Sequence, residues 1–134
     1  MTRAQRKQIE REFYNYKQNR DKAANYVASH AYDGFGVDYT KPQVRASHGN
    51  GVENNVIRAI SEEERAWKWC LVYQKVFERF RWTQKDELMR RRYMEKEHEI
   101  KTCMAVGIER RTYFYWLNEM LDVAFLWALE WKLL

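Results

Sequence analysis

Proline occurs once in this 134-residue chain and glycine five times. That supply is too small for the many turns of a β-sandwich or barrel. Two cysteines, Cys70 and Cys103, cannot build a disulfide framework, and no Cys or His pair has metal-ligand spacing. No apolar run near the N-terminus has the form of a signal peptide, and charges interrupt every stretch long enough to span a bilayer. A phosphate loop, a dinucleotide fingerprint and a nucleophile elbow are all missing. Acidic groups such as Glu62-Glu63-Glu64 and Glu97 with Glu99 fit helix N-terminal positions better than general acid–base work. The absences predict an all-α, cytoplasmic protein that is not an enzyme, carries no cofactor or metal and stays out of the membrane.

What the chain does have is apolar and basic material. Hydrophobic residues make up 46% and aromatics 16%, enough for a core and too much for wholesale disorder. The net charge of +5 is unevenly spread. Residues 1–30 hold seven basic and three acidic side chains, and residues 79–111 hold ten and six. The middle, residues 31–78, is near neutral with six and seven, and the tail from 112 has one and three. Two local surpluses make a polyanion partner more plausible than the total does.

Periodicity divides the chain into an N-terminal helix over 1–31, a loop or linker over 32–51 and a helical unit over 52–134. In the first, Ile9, Phe13, Tyr16, Ala23 and Val27 form a narrow apolar stripe, and Thr2 with Gln5 has the form of a capping box. The linker collects Asp33-Gly34, Gly36, Lys41-Pro42 and Gly49-Asn50-Gly51. After it, Val52, Val56, Ile57 and Ile60 suggest one short helix, and Ser61 with Glu64 suggests the start of another that runs to about Arg81. Thr83 with Asp86 marks a further start, and that helix continues to about Glu95. The residues from Met120 onward are apolar on nearly every face, so this tail must be covered on several sides. It is expected to extend the preceding helix and to help build a homodimer interface.

The segment at about 97–121 has the register of a helix-turn-helix. Cys103 supplies a small residue four before Gly107, which permits a left-handed turn, and Val106 and Ile108 flank the glycine. Tyr113 and Leu117, four apart, give the following helix an apolar inner face. In this geometry the second helix enters the major groove with its first turns against base edges. Those turns contain Arg110, Arg111, Thr112, Phe114 and Tyr115. Arginine can donate two bonds to guanine or one charge to phosphate. Arg90, Arg91, Lys96 and Lys101 are expected nearer the phosphates, fixing orientation.

Residues about 67–134 resemble the region-4-like domain of sigma factors, and more closely the ArpU/RinA type of phage transcriptional regulator. The likeness rests on Glu87-Leu88-Met89-Arg90-Arg91-Arg92-Tyr93, on Glu99-Ile100 ahead of Cys103, and on Val106-Gly107-Ile108-Glu109-Arg110-Arg111-Thr112-Tyr113 leading to Trp116-Leu117. Upstream, Ser47-His48-Gly49-Asn50-Gly51-Val52-Glu53 precedes an apolar helix in similar order. The chain departs from the family pattern at Glu109, Cys103 and Tyr115, where a serine or threonine, an alanine and a basic residue are usual. The resemblance implies a sigma-region-4-like bundle that binds double-stranded DNA and activates late phage genes, with bacterial RNA polymerase as a candidate partner. Two other readings stay open: a small-terminase-like DNA-packaging adaptor, and a helical module that binds only proteins.

Overall fold

A computed structural model describes the backbone of residues 1–36 and 50–134, and the side chains of residues 1–29 and 62–134. All regular elements among the described residues are helices: α1 (Arg3–Tyr14), α2 (Tyr16–Gly36), α3 (Asn50–Arg79), α4 (Gln84–Met89), a π-helical segment (Arg90–Met94), α5 (Glu99–Val106) and α6 (Arg110–Glu130). Thr2 begins α1 with a reciprocal cap: its side chain accepts from the Gln5 N–H, and its own N–H donates to Gln5 Oε1 at 2.8 Å.

The expected single N-terminal helix is two. It breaks at Asn15, where the side chain of buried Asn19 donates to the Glu12 carbonyl at 3.4 Å and to the Glu12 carboxylate at 2.9 Å. A side-chain donor thus serves a carbonyl at the end of the ladder, and Asn15, with φ −94° and ψ 17°, leaves helical geometry there. The expected stripe is buried at Ile9, Phe13 and Ala23, Tyr16 is half-buried, and Val27 faces solvent. The helix also runs past 32, and helix resumes at Asn50, so both ends of the expected linker are helical; the rest of it, with His48, lies outside the described residues. Nor does α3 restart at Ser61. It is continuous for 30 residues, about 45 Å at 1.5 Å per residue, because neither glycine nor proline interrupts its hydrogen-bond ladder after Gly51.

Helices α2 and α3 run antiparallel, with Tyr16 stacked on Tyr73 at 4.2 Å between centroids and Tyr26 against Trp67 at 5.3 Å. The core lies where α1, α3, α4 and α6 converge. Phe13 sits edge-on to Tyr73 and to Tyr93, with Trp69, Val76, Leu88, Leu117 and Leu121 closing around it. Fully burying side chains of this kind contributes on the order of 1.5–3 kcal/mol each. Thr83 caps α4, its hydroxyl accepting from the Lys85 N–H, while the Asp86 carboxylate accepts from the Trp82 N–H at 2.8 Å. The tail extends α6 as expected, and α1 and α3 cover part of its apolar surface. Arg65 secures the end of the chain by donating to the Leu133 carbonyl at 2.9 Å.

Candidate nucleic-acid interface

The expected turn is present. His98 caps α5 by accepting the Ile100 N–H, and the helix ends at Gly107 with φ 78° and ψ 38°. The N–H groups of Gly107 and Ile108 both donate to the Cys103 carbonyl, at 2.9 and 3.0 Å, closing the last turn. A Cβ at Gly107 would meet nothing within 4 Å, so glycine is favoured there by backbone conformation alone. Glu109 then stands at the N-cap of α6 without a side-chain capping bond, in keeping with its departure from the usual serine or threonine.

Helix α6 is seated from behind by Tyr113, Leu117, Met120 and Leu121, all buried. On the other side Arg111, Tyr115, Asn118 and Asp122 follow one another at helical spacing, and all are exposed. Arg110 is 72% exposed and pairs with Glu99 at 2.9 Å, its guanidinium 5.5 Å from the Phe114 ring centroid. Arg111 has no bonding partner among the described residues. Thr112 and Phe114 are half-buried, at the margins of the exposed stripe. Asn118 was absent from the sequence-based site; the spacing from Arg111 through Tyr115 was the signal that could have found it. Its amide can donate and accept in one plane, the pattern that reads adenine.

The basic residues expected nearer the phosphates do not form one group. Lys101 is exposed on α5, and Lys96 is exposed in the preceding loop with φ 53°. Arg90 is exposed but pairs with Glu95 at 3.5 Å and faces a different groove, with Tyr16 and Arg20. Arg91 is half-buried between Glu87 at 3.0 Å and Glu97 at 3.2 Å, so a phosphate would have to displace two carboxylates to reach it. Partial desolvation raises the Glu97 pKa, but hydrogen bonds from Thr102 and Arg91 outweigh it and hold the carboxyl below its ordinary value. Arg92, the third of the run, is turned inward: it donates to the Tyr113 hydroxyl and to Glu10 Oε1, both at 2.8 Å.

An open groove of about 440 Å³ lies between α5 and the turn, lined by Ile100, Cys103, Met104 and Ile108 with Glu99, Glu109 and Arg110 among its charged residues. Ile100 and Met104 are exposed there. The cation of the groove, Arg110, is paired with Glu99, and the apolar wall could meet a thymine methyl. Among the described residues no cluster of His, Cys, Asp or Glu could hold a metal ion, and no helix is long and apolar enough to cross a membrane. Compared with known proteins, the chain matches no family, no curated protein and no solved structure.

Proposed function

We propose that this chain is a sequence-specific, double-stranded DNA-binding transcription regulator of the ArpU/RinA kind, reading the major groove with the first turns of α6. One observation carries the reading: beyond the left-handed turn at Gly107, Arg111, Tyr115 and Asn118 project outward from a helix whose opposite side, Tyr113 and Leu117, is locked into the core. Arg110 and Arg111 sit at the positive end of that helix, where backbone N–H groups add to their attraction for anions. Leu126 and Leu129 stay exposed further along α6, which supports a second copy of the chain as the cover for the tail. A two-fold dimer would place half-sites about 34 Å apart on the duplex.

Selection of bound sequences from a random duplex library tests this directly, and a recurrent site with two related halves is the expected result. Arg111→Ala should weaken binding to that site by about 1–3 kcal/mol and relax preference at one position. A residue that touches only phosphate would instead weaken all duplexes equally and lower the salt slope by about one. Arg110→Ala should cost less than Arg111→Ala, because Arg110 must first leave Glu99, a surface pair worth about 0.2–1 kcal/mol. Recovery of no common sequence, or binding unchanged in both variants, would overturn the proposal.

A further inference from the structure

A second concavity, about 670 Å³, lies between α2, α3 and the π-helical segment and shares no residue with the groove at the turn. Its floor is apolar and aromatic: Tyr16 stacked on Tyr73, with Phe77 and Met94 beside them. Its rim is basic, with Lys17, Arg20, Arg81 and Arg90 against two carboxylates, Glu78 and Glu95. Both carboxylates already have cations, Glu78 at 3.8 Å from Lys75 and Glu95 at 3.5 Å from Arg90. Among the described residues no acidic group pairs with Lys17, Arg20 or Arg81, so the rim is left with three uncompensated positive charges.

The residue after Arg81 lies outside the lining but next to it in the chain. Trp82 is 85% exposed, with the Arg81 guanidinium 4.7 Å from its ring centroid. It holds φ at 67°, a conformation unfavourable for a side chain of this size, and Asp86 fixes it there by accepting its N–H. Tryptophan and arginine are among the residues most enriched where interfaces concentrate their binding energy.

We infer that this groove binds an acidic peptide segment of another protein, one that carries apolar side chains for the floor and carboxylates for the rim. Charge complementarity selects acid over base. The concave aromatic floor selects a peptide over a duplex, whose convex phosphate ladder would leave the floor empty. The site lies apart from Arg110 and Arg111, so the two surfaces can be occupied together.

The test uses the full chain, isotopically labelled for NMR, and a fluorescent peptide of about twelve residues mixing Asp and Glu with Leu and Phe. Its counterpart has Lys in place of every acid. The acidic peptide should bind at micromolar concentration and shift the Tyr16, Phe77 and Met94 resonances, and the lysine peptide should not. The double variant R20E/R81E, at exposed positions, should keep the spectrum of the folded protein and lose affinity for the acidic peptide at least tenfold. Absence of binding, equal binding of both peptides, or affinity unchanged in the double variant would overturn the inference. So would a loss of duplex binding in R20E/R81E as large as that in Arg111→Ala, which would assign this rim to DNA instead.

Discussion

Replacing Arg92 by methionine should destabilise the protein far more than removing any surface cation. The Arg92 and Glu10 side chains are only 16% and 21% exposed and lie 2.8 Å apart, joining the π-helical segment to α1. The same guanidinium donates to the Tyr113 hydroxyl at 2.8 Å and lies over the rings of Tyr14, Tyr93 and Tyr113. Without it, the Glu10 carboxylate keeps one donor, the Tyr93 hydroxyl at 3.1 Å. Breaking a fully buried pair costs about 3–5 kcal/mol, and the accessible fifth of each side chain lets water recover part of that. The Arg92 Nε has no partner, so the native arrangement is already short of one bond. The expected loss is therefore about 2–4 kcal/mol. For a chain of this size, that lowers the melting temperature by roughly 10 °C. The control is Lys22→Met, whose pair with Glu62 is 3.7 Å long between side chains 53% and 73% exposed and should cost about 0–1 kcal/mol. Urea denaturation of both variants, with Glu10→Gln and the Glu10→Gln/Arg92→Met double variant, gives the coupling, expected at about 1–3 kcal/mol. An Arg92→Met loss no larger than that of Lys22→Met would refute the account of how α1 is held to the helices behind α6.

Gly107→Ala should cost about 1–2 kcal/mol through its left-handed backbone alone, and Gly107→Asn less, since asparagine tolerates that conformation; equal melting temperatures for the two variants would contradict this. The lowered Glu97 pKa stabilises the fold above the ordinary carboxylate value of about 4.3, and that contribution is lost as pH falls through the lower folded value. Glu97→Gln should therefore flatten the fall in stability on acidification, as read from thermal melts between about pH 7 and pH 3. Burial pushes the Cys70 thiol up to about 11, and Cys103, also raised by burial, is only half-buried. Iodoacetamide should alkylate Cys103 before Cys70, as peptide mass mapping would record, and the reverse order would contradict the deeper burial of Cys70.

The parts of the fold that follow from neighbours in sequence were legible in advance. The Thr2–Gln5 box and the Thr83 cap form because their donors and acceptors lie within one turn. Gly107 ends α5 because few other residues adopt its φ, and Tyr113 and Leu117 face inward because four residues complete about one helical turn. The break at Asn15 was not legible: it depends on one amide, Asn19, reaching back seven residues to Glu12. The continuity of α3 through Ser61 was missed because Ser-x-x-Glu marks a helix start only where the preceding residues are not already helical.

The sequence by itself determined the helical class, the turn at Gly107 and the inner face of α6, because each is set by hydrogen bonds and spacing within a few residues. Tertiary structure decided which of Arg90, Arg91 and Arg92, three adjacent residues of identical chemistry, turns into the core. The π-helical segment shifts the facing of side chains there, as the Glu95 N–H bond to the Arg90 carbonyl records. One arginine is left at the rim of a groove, one between two carboxylates and one among the tyrosines of the core. Arg90 and Arg91 find their carboxylates within six residues, whereas Arg92 is drawn inward by Tyr113 and Glu10, 21 and 82 positions away, and no local pattern encodes those distant partners.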